Sequence, residues 1–167
     1  MSCCIAHIKD GKVFIGSDSA NSRGEHQEVV TLSKIHLGKD YIMAGAGSLI
    51  DVQQFSVILS KYEESLWNTG QIYELYKLLV KEKKETSDAK MDSTFIVGCK
   101  NEFYTVDPDG CVQEHNTEHD EGRFYCIGSG MAYAYGALYA GATIEKALEA
   151  AAEFDIYTKG PFTIMSL

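Results

Sequence analysis

A chain of 167 residues, 45 % hydrophobic and with only two prolines, has the length and composition of one globular domain, 1–167, rather than of a disordered segment. Its net charge of −9, with Arg23 and Arg123 the only arginines, excludes the clustered basic surface that nucleic acid or an anionic membrane requires. No apolar run approaches the ~20 residues that cross a bilayer.

Met1-Ser2 leads directly into an apolar stretch in which Cys4, Ala6 and Ile8 alternate with Cys3, Ile5 and His7, the period of a strand. Asp10-Gly11 is a two-residue hairpin signal, and Val13 to Gly16 reads as the returning strand. Polar residues from Ser19 to Glu28 predict a loop. Lys34 to Leu37 and Tyr41 to Ala44 flank Gly38-Lys39-Asp40, which predicts a second hairpin. Ser48 and Asp51 have the spacing of a helix capping box. Behind them Val52, Phe55, Leu59, Tyr62 and Leu66 form one apolar helix stripe. Asn68-Thr69-Gly70 predicts a break. A second helix follows, with Ile72, Leu75, Tyr76 and Leu79 inward and the charges from Lys81 to Glu85 outward.

Strands resume at Thr94 to Val97, Phe103 to Val106 and Cys111-Val112, with turns at Lys100-Asn101-Glu102 and Pro108-Asp109-Gly110. After a polar loop come Phe124 to Ile127 and then Gly128-Ser129-Gly130. Two Ala-rich helices span about Met131 to Tyr157, and Phe162 to Leu167 is a last strand. This order does not alternate strand and helix as a parallel doubly wound sheet does. Antiparallel sheets with helix pairs outside bury it best. The Ala-rich helices predict close packing on a sheet or a neighbouring subunit.

Cys3, Cys4, Cys99, Cys111 and Cys126 are odd in number and lack CxxC spacing, the mark of buried thiols in a reducing compartment. The first residues lack the charged start and apolar stretch of a signal peptide, so a cytoplasmic protein is expected. His115 and His119 stand four apart among carboxylates, a spacing that binds zinc on a helix; here it lies in a polar loop and reads as solvated. Gly128-Ser129-Gly130 lacks the following Lys-Ser or Lys-Thr of a phosphate loop. No metal or cofactor is expected.

Ser2, Gly11, Asp18-Ser19, Gly24, Lys34, Ala46-Gly47 and Asp51 resemble, residue and spacing together, proteasome β-subunits and the HslV-type bacterial protease, which are N-terminal-nucleophile (Ntn) hydrolases. Ile127-Gly128-Ser129-Gly130, Lys146-Ala147-Leu148 and Asp155-Ile156-Tyr157-Thr158 carry the resemblance to the end of the chain. The length is closer to the HslV type. The resemblance implies an α+β fold, a four-layer αββα sandwich of two antiparallel sheets flanked by helix pairs. It also implies a nucleophile at the mature N-terminus. The matching residue is Ser2, exposed by removal of Met1, which a small second residue favours.

A serine hydroxyl is a poor nucleophile until a base takes its proton. An α-amine, with an ordinary pKa of about 7.7–8.0, suits that task near neutral pH. The resemblance sets Lys34 beside the amine, where its charge disfavours protonation of that amine and stabilises an alkoxide. Asp18 pairs with Lys34 and holds it. Gly47 offers a backbone N–H to the oxyanion, a contact worth roughly 3–4 kcal/mol. Ser129 matches the serine that contacts the terminal amine and relays protons. Asp155 and Thr158 match an Asp-x-x-Ser pattern near the same amine. In HslV-type relatives the main-chain carbonyls in this segment hold a cation; the matching residues are Ala152, Asp155 and Thr158.

Read without the resemblance, Asp18 and Lys34 are an ordinary surface ion pair. Ala44 to Gly47 is then a tight strand-to-helix connection, and Asp155 and Thr158 are helix-end polar residues. The chain departs from the family pattern in having serine for threonine at position 2, Cys3 for a hydroxyl residue, Ala20 for an arginine and Ser48 for a second glycine. A thiol nucleophile at Cys3 is the competing assignment. The resemblance implies a peptidase acting on peptides or unfolded proteins, assembled as a homo-oligomeric ring and served by an ATP-dependent unfoldase. The alternatives are a non-catalytic ring or scaffold subunit, or an Ntn amidase or peptide transferase.

Overall fold

The computed structural model describes residues 2–23, 26–29, 34–62 and 67–167. Met1, Gly24 and Leu66, each used in the sequence reading, lie outside the described residues. The initial alternation becomes strand β1 (Cys4–Lys9), buried on both faces. Asp10 and Gly11, at φ of 52° and 67°, turn it into β2 (Lys12–Ser17), with Lys9 opposite Lys12. Positive φ at both turn residues matches the right-handed twist of the flanking strands.

The remaining strands are β3 (Ala20–Arg23), β4 (His26–Val29), β5 (Ile35–Leu37), β6 (Ile42–Ala46), β7 (Thr94–Cys99), β8 (Glu102–Val106), β9 (Val112–Asn116), β10 (Phe124–Ile127) and β11 (Thr163–Ser166). The helices are α1 (Leu49–Ser60), α2 (Thr69–Thr86), α3 (Met131–Tyr139) and α4 (Ile144–Phe154). The fold is α+β, and the pairings are antiparallel. A four-stranded sheet runs β10-β1-β2-β11, a five-stranded sheet runs β5-β6-β7-β8-β9, and β3 pairs with β4 alone.

Three hydrophobic clusters follow from the period-two alternation of the strands. Cys4, Ala6, Ile8 and Ile15 of the four-stranded sheet pack against Ile42, Ala44, Ile96 and Phe103 of the five-stranded one. Cys3 and Ile5, on the opposite face of β1, meet Ala134, Leu138, Ala147, Leu148 and Ala151 of α3 and α4. The other face of the five-stranded sheet, with Met43, Phe95 and Val97, meets Val52, Phe55, Ile72 and Leu79 of α1 and α2. Gly16 lets α4 lie close to its sheet: a Cβ there would come within 2.5 Å of Ile144 Cγ2. Among the described residues no helix is long and apolar enough to cross a membrane.

Several expectations are corrected. The stretch from Ser19 to Glu28 holds the β3–β4 hairpin rather than a loop. That two-stranded ribbon stands outside both larger sheets, so it shows no apolar alternation. Helix α1 ends at Ser60, and Tyr62 lies beyond it and is exposed, not part of a buried stripe. Asn68-Thr69-Gly70 starts α2 rather than separating helices: Asn68 is the N-cap and accepts the Gln71 N–H at 3.0 Å. Ser48 precedes α1 as expected, but its side chain makes no capping bond. Lys83 is buried, not outward with its neighbours, because it pairs with Asp51. His115 belongs to β9, where it is buried and stacks on Phe103 with ring centroids 4.6 Å apart.

Candidate active site

Ser2 lies two residues before β1, and Asp18 immediately follows β2. The hairpin therefore brings residues sixteen apart together at one end of the four-stranded sheet. The Asp18 N–H donates to the Cys3 carbonyl at 3.1 Å, and the Cys3 N–H donates back to Asp18 Oδ1 at 3.0 Å. Asp18 Oδ2 accepts N–H bonds from Ala20 at 2.9 Å and Lys159 at 3.3 Å. This carboxylate is 1 % exposed, so its charge depends on those donors and on a cation.

Lys34 supplies the cation from the residue before β5. Its Nζ lies 2.7 Å from Asp18 Oδ1 and 2.8 Å from Ser2 Oγ. Ser2 and Lys34 are both buried. The ammonium bonds both a carboxylate and a hydroxyl, and the lysine cannot swing into water without leaving the buried aspartate with backbone donors alone.

The opposite side of Ser2 is held by the β10–α3 connection. The Gly130 N–H donates to the Ser2 carbonyl at 3.2 Å. Gly128 has φ of +93°, and a Cβ there would collide with the Ser2 carbonyl oxygen. Only glycine allows this approach. Ser129 Oγ donates to Asp155 Oδ2 at 2.7 Å and lies 3.4 Å from the Ser2 carbonyl oxygen. Thr158 Oγ1 donates to the same Asp155 oxygen at 2.6 Å. Asp155 caps α4, and both Asp155 and Thr158 are buried.

Gly47 follows β6 and is exposed, at φ of +128°. It reaches the same region through Ala46, whose Cβ lies 3.2 Å from where a Cβ on Gly128 would sit. Ser2, Asp18 and Lys34 are thus in direct contact. Ser129, Asp155 and Thr158 form a second set around the Ser2 main chain, and Gly47 follows Ala46, which packs beside Gly128. Sequence pattern marks Gly128 and Gly130 as no more than a weak phosphate turn. In the fold they shape the seat of Ser2, and the signal for this is a Gly-x-Gly directly after a strand.

Cys3 cannot compete for the role of nucleophile. Its side chain points into the α3–α4 cluster, and burial, reinforced by Cys4, pushes the thiol pKa far up. Cys4, under Asp18 and Lys34, is pushed up to about 12, again mainly by burial. His115 Nδ1 faces Arg123 Nη1 at 3.4 Å, and His119 is exposed. Among the described residues no group of three or more His, Cys, Asp or Glu side chains is arranged to hold a metal ion.

No family model matches the sequence. Solved structures do match it. BPH from Thiobacillus denitrificans, in complex with epoxomicin, matches with a TM-score of 0.78 and 24 % identity over 99 % of this chain and 97 % of that one. Eukaryotic HslV from Trypanosoma brucei matches with a TM-score of 0.71 and 20 % identity over 99 % and 98 %. Anbu, the ancestral beta-subunit, from Yersinia bercovieri matches with a TM-score of 0.76 and 13 % identity over 98 % and 80 %. These likenesses, which run through nearly the whole chain, identify its fold as that of the proteasome- and HslV-type Ntn proteins.

Proposed function

We propose that this protein is a peptidase subunit of proteasome or HslV type, with Ser2 as its nucleophile once Met1 has been removed. One observation carries the proposal: Lys34 Nζ bridges Ser2 Oγ at 2.8 Å and Asp18 Oδ1 at 2.7 Å in a buried setting. A lysine serving only stability would need the aspartate alone.

In the reaction, Ser2 Oγ attacks the peptide carbonyl carbon and its proton passes to the Ser2 α-amine. The Lys34 ammonium disfavours a proton already resting on that amine and stabilises the forming alkoxide. The oxyanion is received by the Gly47 N–H. Collapse breaks the C–N bond, and the leaving amine takes the proton from the Ser2 ammonium. An ester on Ser2 Oγ remains. Water, deprotonated by the same amine, then attacks the ester and releases the carboxylic acid. Asp18 keeps Lys34 in place. Ser129, ordered by Asp155 and Thr158, steadies the Ser2 main chain and relays protons at the amine.

The three clusters support one domain, 1–167, built as four αββα layers. Exposed Leu37, Ile50, Val57, Tyr139, Phe154 and Ile156 give the surface apolar patches that assembly would cover, which supports a homo-oligomeric ring. A ring in the cytoplasm, enclosing its sites and fed by an ATP-dependent unfoldase, would limit substrates to peptides and unfolded chains.

The test is intact mass of the natively produced protein before and after epoxomicin, the compound bound to the Thiobacillus protein, with peptide hydrolysis measured alongside. A mass lacking one methionine, a single adduct, and loss of both adduct and hydrolysis in Ser2→Ala are expected. Undiminished hydrolysis by Ser2→Ala would overturn the assignment. Retention of Met1 would favour the non-catalytic ring subunit, and net transfer to an added amine would favour the transferase.

A further inference from the structure

We infer that Asp51, Lys83 and Ser93 are positioning residues for the Gly47 N–H, a buried brace behind the connection from β6 to α1. The inference rests on the peptidase reading above.

The brace is a chain of three hydrogen bonds. The Ser48 N–H donates to Ser93 Oγ at 3.0 Å. Ser93 Oγ donates to Asp51 Oδ2 at 2.7 Å. Lys83 Nζ donates to the same Oδ2 at 2.8 Å. All three side chains are buried: Ser93 is 0 %, Asp51 2 % and Lys83 8 % exposed. Asp92 also approaches Lys83, at 4.0 Å, but its side chain is 75 % exposed and adds little.

A buried ion pair contributes little net stability compared with apolar residues of the same size, because both ions lose water. Its geometric effect here is specific. In a capping box the N3 side chain, here Asp51, would accept the Ser48 N–H directly; instead Ser93 Oγ stands between them, accepting from Ser48 and donating to Asp51. The Ser48 N–H belongs to the peptide plane that begins at Gly47. On the other side of Gly47, Ala46 is paired with Thr94, the residue after Ser93. The chain on the two sides of Gly47 is therefore held against adjacent residues of one segment, by register at Ala46 and by a hydrogen bond at Ser48. Gly47 is pressed flat against that segment: a Cβ would lie 2.5 Å from Ser93 Oγ and 2.7 Å from Ser93 Cα. Held on both sides and packed against Ser93, the Gly47 N–H has its direction set by this segment. An oxyanion donor acts only when aimed at the position where charge develops.

The test uses the processed protein, with kcat and KM measured on a fluorogenic peptide and amide hydrogen exchange followed at Ser48. Ser93→Ala should lower kcat by at least about tenfold with KM within about twofold, because the lost contact exists only in the transition state. It should also speed exchange at Ser48. Asp51→Asn keeps an oxygen for both donors and should fall between Ser93→Ala and the parent, which gives a second variant if Ser93→Ala folds poorly. A parental kcat in folded Ser93→Ala, or unchanged exchange at Ser48, would overturn the brace while an inert Ser2→Ala leaves the Ser2 assignment standing. Equal hydrolysis by the parent and Ser2→Ala would overturn the Ser2 assignment, and the catalytic role of the brace with it.

Discussion

Lys34 Nζ and Ser2 Oγ meet at 2.8 Å although the residues are 32 positions apart and lead into strands of different sheets. The contact joins the start of β1 to the start of β5, so it is made only when the two sheets have packed. Asp18 accepts from the same Nζ at 2.7 Å, which leaves the ammonium one position.

Lys34→Ala is therefore expected to cost both activity and stability. The turnover lost should be on the order of 10²–10³-fold, the range for losing one electrostatic stabiliser of the transition state. Asp18 would remain buried with backbone donors alone, a loss on the order of 3–5 kcal/mol for breaking a buried pair. Peptide hydrolysis and urea unfolding read the two effects separately. Undiminished hydrolysis by a folded Lys34→Ala would remove the lysine from the mechanism.

Gly128→Ala should be more damaging than a glycine-to-alanine change on a surface loop. Its φ of +93° already disfavours a side chain, and the new Cβ would strike the Ser2 carbonyl oxygen and lie 2.7 Å from its carbon. The expected result is a loss of roughly 1–3 kcal/mol in unfolding free energy, with hydrolysis falling further than that loss explains, because Ser2 itself is displaced. A variant with parental turnover and a parental unfolding midpoint would contradict this account of the Ser2 seat.

Local chemistry was the legible part of this chain. Asp10-Gly11 announces a positive-φ hairpin, and the alternation of Cys3 and Cys4 onto opposite faces follows from strand geometry alone. The Ser2, Asp18 and Lys34 spacing yields a site only through resemblance, because nothing local says that a lysine before one hairpin will reach a serine before another. Asp51 and Lys83 are harder still. The Lys81 to Glu85 run has the alternating signs of a solvated face, and only packing of α2 on α1 selects Lys83 to turn inward. The β3–β4 hairpin carries no apolar period at all, so its polar residues read as loop.

Thiol chemistry should single out Cys111. It is exposed, whereas Cys3, Cys4, Cys99 and Cys126 are buried. Burial pushes the thiols of Cys4, Cys99 and Cys126 up to about 12 and that of Cys3 higher still. At pH 8 the thiolate needed for reaction is scarce at all four. A disulfide reagent should therefore label one thiol rapidly in the native protein and five after unfolding. Rapid labelling that survives Cys111→Ser would show that a core thiol is accessible.

The acid side of the stability curve should carry a histidine signature. Burial lowers the pKa of His7, His36 and His115 below the ordinary 6.5, with Lys9 adding to the effect at His7 and Arg123 at His115. Asp120 and Glu114 oppose it at His115 without reversing it. Between those lowered values and about 6.5 the unfolded chain binds more protons than the folded one, so stability rises with pH there. The contribution is complete above about 6.5 and is lost as pH falls through the folded-state values. His115 bears most directly on this, since it is buried against Phe103 and its Nε2 has no hydrogen-bond partner among the described residues. Urea midpoints at pH 7.5 and 5.5 should differ in the parent, with the lower midpoint at pH 5.5. His115→Phe keeps the stacked ring and removes the titration, so its midpoint should fall less over the same interval. An equal fall would mean that His115 is not among the groups that make folding sensitive to mild acid.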